Sequence, residues 1–404
     1  MEKDEQRKYI IEYLRQYRKE LSTHQIEKII KEEQASNPLY LRTLLEELRV
    51  FGIFEELENK IEHYLQARTI ARLFALVLER LEKDYERERK GLVKEVTTLI
   101  WASRRGLSET ELFEVLGSKE TPMPRALFSP LYLALEESLV SRAGLLTFFH
   151  DFLKKAVESR YLYDPERIQK THLTIADYFD QRVIDERKVD ELPWQLCRAE
   201  NWPRLRNCVT DMDMFLKLRT ETKQYELTGY WLAMGARYDI VDGYNEMIAR
   251  YEGTSPDLSE LFYRLNETAF FLNINARFDG AEPLSRRALA ISEKILGPDH
   301  SHTAISLNNL ATLLYDKGNY DGAEPLYRRS LAICEKVIGP DHPDTAYGLH
   351  ALAVLLKVKG DYDEAEPLYH RALAIREKVL GPDHRLTRNT KRNLDYLLKA
   401  KKKS

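Results

Sequence analysis

Thr147 to Val157 reads "TFFHDFLKKAV", a histidine and an aspartate side by side ahead of an amphipathic stretch. Such a pair could act as a general base with its orienting carboxylate. It could also sense a charged ligand, or simply start a helix with Asp151 at the positive end. Catalysis needs further partners, and no Ser/His/Asp or Cys/His set with motif context such as G-x-S-x-G accompanies it. No H-E-x-x-H occurs. Carboxylates abound, but beside Lys and Arg on solvated helix faces, as in "LERLEKDYERERK". The expectation is no catalytic residue and no enzyme.

Three more Asp-His pairs invite a metal reading: Asp299-His300, Asp341-His342 and Asp383-His384. They lie a whole repeat apart, each in the same kind of turn. Turn chemistry, with the aspartate capping the next helix, is the expected role, and no metal site is expected. Cys197, Cys208 and Cys334 are too few and scattered for a disulfide framework or a zinc site.

The elements that must position these groups are helices. Over 404 residues, Gly and Pro are sparse, 43% of residues are hydrophobic and 31% are charged, which favours helices around real cores. A net charge of -3 gives no general field for nucleic acid or an anionic membrane. "MEKDEQRKYI" is too charged for a signal peptide, and no apolar run approaches the roughly 18 residues that cross a bilayer. A cytoplasmic setting follows as the default expectation.

Three segments nearly copy one another: "GAEPLSRRALAISEKILGPDH", "GAEPLYRRSLAICEKVIGPDH" and "EAEPLYHRALAIREKVLGPDH". Ala281, Ala323 and Ala365 recur every 42 residues, which means stacked supersecondary units. Each unit predicts two helices. Leu307, Leu310, Ala311 and Leu314 form one stripe, and Ala323, Leu326, Tyr327, Leu331 and Ile333 continue on the next helix. Ala311 with Ala323, and Ala353 with Ala365, allow close helix approach. Pro325 is expected in the first helical turn, where few backbone N–H groups have intrahelical partners. In "RLTRNTKRNLDYLLKAKKKS", Leu394 and Leu398 stay apolar but Asp395 replaces an alanine, predicting an unpaired capping helix with a solvated lysine end.

The wording "LNNLATLLYDKGNYDGAEPLYRRSLAI" resembles the tetratricopeptide repeat in its kinesin-light-chain form, from about Leu258 to the end. Stacked helix pairs make a curved solenoid with the first helix of each pair on the concave face. The residues expected there are Tyr263, Asn266, Phe270 and Asn273, then Ile305, Asn308, Thr312 and Tyr315, then Tyr347, His350 and Lys357, then Arg392 and Lys399. The resemblance implies that Asn308 and Asn309 hold the backbone of an extended peptide. An asparagine amide both donates and accepts, which suits that role. The expected groove set is Asn266, Asn273, Asn308, Asn309, Tyr315, His350, Lys357 and Arg392, with the cations favouring an acidic or C-terminal carboxylate partner.

Residues 1–88 predict a small helical bundle. From 89 to 161 the order is helix, helix, helix, hairpin, as in a winged helix, with "SLVSRAGLLTFF" as two strands. Its second helix carries Glu109, Glu111 and Glu114, the wrong sign for phosphates, so no nucleic-acid partner is expected. Residues 162–255 predict a helical connector, with Trp194, Leu196, Trp202 and Leu205 in its core, and "YEGTSPDLSE" a linker. The array occupies 256–404.

"SNPLYLRTLLEELRVFG", "GLSETELFEVLG" and "GLLTFFHDFLKKAVESRYL" resemble segments that follow the nucleotide-binding core in NACHT/STAND-type signalling ATPases, nephrocystin-3-like members above all. There "FHD" stands where the class has "MHD", whose histidine contacts the phosphates of ADP, and "NPL" where a proline packs on adenine. The resemblance thus implies that Pro38 and His150 are vestigial or in-trans nucleotide sensors. No G-x-x-x-x-G-K-[ST] occurs in the chain, so it has no phosphate cradle. A fragment, or a form that lost the core, is expected. No cofactor is expected, with ADP or ATP entering only alongside that core, and oligomerisation only in the full-length protein. The fold expected is mainly α: a helical bundle and winged-helix-like domain followed by a tetratricopeptide solenoid. A protein or peptide is the expected partner, and no membrane.

Overall fold

The computed structural model describes residues 1–402. Its Lys403 and Ser404, part of the expected solvated tail, lie outside the described residues. The fold is mainly α, with one two-stranded hairpin among the described residues. The chain packs as two compact units, Met1–Leu205 and Arg206–Ser404.

The first unit begins with helices Lys3–Gln16, Thr23–Lys31, Pro38–Val50, Leu57–Leu65 and Ile70–Tyr85. The first ends at Gln16, and Arg18 just beyond it takes a left-handed conformation, φ 55°. The second ends at Lys31, where Glu32 turns extended. Asn37 then caps the third, accepting from the N–H groups of Leu39 and Tyr40 at 2.9 and 3.3 Å. Ile10, Ile29, Leu41, Leu44, Ile61, Leu73 and Leu78 fill the core at helical spacing.

Helices Leu92–Ala102, Glu109–Leu116 and Arg125–Leu135 follow, then strands β1 (Leu139–Arg142) and β2 (Leu145–Phe148). The strands pair antiparallel, Leu139 opposite Phe148. A single bridge from Leu107 to Leu146 extends the hairpin. Gly106 makes that bridge possible: it sits at φ 97°, and a Cβ there would come 2.6 Å from the Leu146 carbonyl oxygen. This is the expected winged-helix order.

Helices Asp151–Tyr161, Pro165–Asp180 and Glu186–Arg198 complete the unit. The last is fastened to the winged part by a buried polar network. Glu191, fully buried, accepts from the backbone N–H groups of Arg104 and Arg105 and from Gln195 Nε2 at 2.9 Å. Gln195 also donates to the Ala102 carbonyl at 3.0 Å and meets His172 Nδ1 at 2.7 Å. The three helix glutamates are ties as well: Glu111 to Arg187, Glu114 to Tyr178, and Glu109 to Arg125. Leu196 and Leu205 are core residues, while Trp194 and Trp202 are only half-buried.

The second unit opens with helices Met212–Leu218, Gln224–Met234 and Ile240–Glu252. Phe215, Trp231, Tyr244 and Phe271 form an aromatic core joining these to the array, with Trp231 Nε1 donating to Tyr244 Oη at 3.0 Å. Three helix pairs follow: Leu258–Ile274 with Phe278–Ile295, Ser301–Asp316 with Tyr320–Val337, and Pro343–Lys359 with Tyr362–Leu380. Ala269, Ala281, Ala311, Ala323, Ala353 and Ala365 are all buried, so backbones approach closely where the sequence is smallest.

Two local expectations are corrected. Pro283, Pro325 and Pro367 are each the sixth residue of a helix, in the second turn. The carbonyls they leave without an i→i−4 partner belong to exposed Asp279, Asp321 and Asp363, where water can replace it. The helix caps are the histidines, not the aspartates. Nδ1 of His300, His342 and His384 accepts the backbone N–H two residues on, at 3.2, 3.2 and 3.3 Å. Asp299 and Asp341 instead reach the next repeat, meeting Lys336 at 2.6 Å and Lys378 at 3.2 Å.

A second ladder repeats along the array. Lys317 pairs with Asp279 and Glu282, Lys359 with Asp321 and Glu324, and Lys401 with Asp363 and Glu366, all within 3.1 Å. Exposed pairs like these are screened by solvent and add little to stability. The last helix, Arg385–Lys401, follows the third repeat. It buries Leu394 and Leu397, with Leu398 half-buried, and leaves Arg388, Lys391 and Asp395 exposed. Its outer side is charged, as a terminal helix needs.

Candidate functional site

The first helices of successive pairs place matched residues in rows 42 positions apart. One row is Asn266, Asn308, His350 and Arg392. A second is Asn273, Tyr315, Lys357 and Lys399. Tyr263, Ile305 and Tyr347 stand one turn from the first row and are about half exposed, at 53%, 48% and 50%. Phe270 is also exposed. Polar side chains therefore run between exposed aromatic and aliphatic ones, an amphipathic surface suited to a chain with both backbone amides and side chains to place.

The asparagines differ in what they already hold. Asn266 Nδ2 donates back to the Phe262 carbonyl at 3.1 Å, and its Oδ1 accepts from Asn309 Nδ2 at 3.5 Å. Asn273 Nδ2 donates to Asp316 at 2.8 Å, while its Oδ1 is buried without a partner among the described residues. Asn308 is 7% exposed, and its Oδ1 has no hydrogen-bond partner among the described residues. An orphaned buried amide oxygen costs about 1–3 kcal/mol. Tyr315 is half-buried beside Tyr320, ring centroids 5.5 Å apart.

In the third repeat the row turns basic. The His350 ring lies 5.5 Å from the Tyr369 ring, and its Nδ1 is buried with no hydrogen-bond partner among the described residues. Burial, with the charges of Arg376 and Lys357 adding to it, pushes its pKa down to about 4. Burial also holds the Lys357 ammonium below its ordinary value, and no acid among the described residues pairs with it. Arg392 is exposed and donates to Asn389 at 2.9 Å.

Two residues of this region escaped the sequence reading, Tyr369 and Arg376. Both lie on a second helix, not a first one. Tyr369 is fully buried, and its hydroxyl has no partner among the described residues. Its counterpart Tyr327 donates to Thr312 Oγ1 at 2.9 Å, but the residue matching Thr312 is Val354. Arg376 stands where the other repeats carry Ser292 and Cys334. That odd residue in "AISEK", "AICEK" and "AIREK" was the available signal.

In the first unit, His150 lies at a cleft of about 440 Å³ lined also by Leu39, Arg42, Phe74, Arg80, Leu133 and Phe149. Its ring packs against Phe74 and Phe149, at 5.1 and 5.7 Å. Nδ1 is buried with no hydrogen-bond partner among the described residues, and burial holds the imidazole pKa below its ordinary value. It precedes the helix Asp151–Tyr161 without capping it. Pro38 is exposed at the first position of its helix and does not line the cleft, whose nearest lining residue in sequence is Leu39.

Residues 173–402, more than half of the chain, match the nephrocystin-3 TPR domain model, and residues 14–161 match the nephrocystin 3 helical domain model. A TPR repeat-containing protein of Dictyostelium discoideum is 32% identical over 290 residues, covering 67% of this chain and 17% of that protein. Human nephrocystin-3 is 26% identical over 285 residues, covering 68% of this chain and 21% of its own length. The chain thus spans about a fifth of the length of these relatives. A solved signal transduction ATPase with numerous domains (STAND) and a tetratricopeptide repeat sensor, from Pyrococcus horikoshii, aligns with 15% identity and TM-score 0.37 over 98% of this chain and 57% of that one.

Proposed function

Because the chain belongs to the nephrocystin-3 tetratricopeptide family, we propose that it is a protein-interaction scaffold that binds an extended peptide or helix along the first helices of its array. The observation that carries this reading is Asn308, buried on that surface with an orphaned Oδ1. A bound peptide N–H would satisfy it. Asn266, Asn273, Asn309 and Tyr315 would add backbone contacts, and His350, Lys357 and Arg392 would select partner charge. The reading includes the division at 88, 161 and 255, a cytoplasmic setting and no catalysis of its own. It favours a protein partner over nucleic acid or membrane; among the described residues no helix is long and apolar enough to cross a bilayer.

Asn308→Ala tests it. Peptide-array binding should fall at least tenfold while the melting temperature holds or rises, since the variant removes an unpaired buried amide. Unchanged binding would sink the groove reading.

A second reading is favoured by one observation, the orphaned Nδ1 of His150 at its cleft. In this reading the first unit is the sensor half of a NACHT/STAND switch, with His150 and Pro38 reading an ADP or ATP held by a nucleotide-binding core, and oligomerisation belonging to the full-length protein. It predicts that upstream genomic sequence, or a neighbouring frame, encodes a P-loop core. Sequencing that DNA and finding none would end it.

A further inference from the structure

The geometry points to a docking site in the first unit: the cleft at His150 takes an uncharged aromatic side chain of a partner polypeptide, one that carries a hydrogen-bond donor as tryptophan does, and not a phosphate. This is independent of the groove reading. It departs from what the family likeness implies for that histidine, the phosphates of ADP.

The argument starts from charge. The cleft's volume, about 440 Å³, is in the range that encloses one small ligand. Its charged lining residues are Arg42, Arg49 and Arg80 with Glu46, Glu47 and Glu137. Each cation has its acid. Arg42 pairs with Glu137, Arg49 with Glu46 at 2.7 Å, and Arg80 holds Glu47 through two nitrogens, with Nη2 donating to Oε1 at 2.9 Å. Tyr64 also donates to Glu47, at 2.5 Å, and Tyr13 donates to Glu46. Burial holds the His150 imidazole below its ordinary pKa, so it adds little positive charge at neutral pH. A phosphate is held by cations free to face it. Here it would have to break these pairs and would then meet three carboxylates, so the lining does not fit it.

What the cleft offers instead is apolar. Leu133, Phe149 and Val50 line it with 66%, 65% and 53% of their surface exposed. Large apolar side chains this exposed, gathered at one concave place, mark an interaction surface. Phe149 is fixed there, because its N–H donates to the Ser138 carbonyl at 2.9 Å. With Phe74 and His150 it presents ring faces and edges to a further aromatic ring. Two polar atoms of the lining residues have no hydrogen-bond partner among the described residues, His150 Nδ1 and Arg49 Nε. An indole N–H suits a bare imidazole nitrogen, and a peptide carbonyl suits a guanidinium N–H. A tryptophan within a polypeptide supplies both and brings no charge.

The test uses the full chain and three probes: an end-capped alanine pentapeptide with a central tryptophan, the same peptide with alanine in its place, and inorganic pyrophosphate. The His150 ring is followed by NMR in histidine-labelled protein, with His150→Gln assigning its signal. Leu133→Ser and Phe149→Ser are titrated beside wild type. Both side chains are exposed, so both variants should keep the fold, and a thermal melt checks this. The tryptophan peptide should shift His150 in wild type and bind either variant more weakly, by about fivefold or more. The alanine peptide and pyrophosphate should leave His150 unmoved. A peptide taken up only by the array also leaves His150 unmoved, so failure here is distinct from failure of the groove. No His150 shift with the tryptophan peptide overturns the site. So does a shift with pyrophosphate, or equal affinity of wild type and both folded variants for the tryptophan peptide.

Discussion

The second and third repeats are near copies that diverge where they could touch a partner. Their scaffold positions match one for one: Leu310 and Leu352, Ala311 and Ala353, Ala323 and Ala365 are all buried. Their caps match, His300 and His342, as do their staples, Lys336 to Asp299 and Lys378 to Asp341. Yet Asn308 becomes His350, Thr312 becomes Val354, Tyr315 becomes Lys357 and Cys334 becomes Arg376. The difference teaches how to separate the two demands on a repeat protein. Positions that keep the period hold the stack together, and the residues proposed to select a partner are among those that break it.

The comparison breaks most visibly if the scaffold positions are not equivalent. Leu310→Ala and Leu352→Ala should each cost about 2–5 kcal/mol by chemical denaturation, and by similar amounts. A twofold disparity would show that the repeats are packed differently. Acid should then separate the repeats. The folded pKa of His350 is about 4, below its ordinary 6.5. The unfolded chain therefore binds the extra proton between these values, so stability is present above about pH 6.5 and is lost as pH falls toward 4. His350→Asn, which installs the second repeat's residue, should flatten that limb by up to about 1.4 kcal/mol per pH unit. The same acid slope in both proteins would contradict the assignment.

Smaller changes test single contacts. His342→Ala should cost about 0.5–2 kcal/mol of thermal stability through the lost cap. Val354→Thr should give Tyr369 the acceptor that Tyr327 has, and Thr312→Val should remove it. Opposite shifts of about 1 kcal/mol are expected in the melts. Asp341→Ala should cost under about 1 kcal/mol, and high salt should erase the loss, because its bond to Lys378 is exposed.

Much of this architecture was legible in the sequence, because apolar periodicity and small-residue positions depend on local chain geometry alone. The helix pairs, the buried alanines and the winged hairpin followed from that. The capping role did not, because Asp and His both accept hydrogen bonds; only the direction in which the turn after Gly297, Gly339 and Gly381 aims each side chain decides between them. The prolines were displaced by one turn for a similar reason, since the helix starts earlier than the glycine and alanine pattern suggests. Arg376 was unreadable as a buried residue because its burial depends on the terminal helix that supplies Leu386 and Thr390.

The central claim is that the groove residues His350, Lys357 and Arg392 select an acidic partner. The direct measurement titrates amidated hexaglutamate against wild type and against a chain carrying His350→Asn, Lys357→Tyr and Arg392→Ala. Affinity should fall at least tenfold in the triple variant while its helical melt stays cooperative. Equal affinity in a cooperatively folded triple variant would contradict the account.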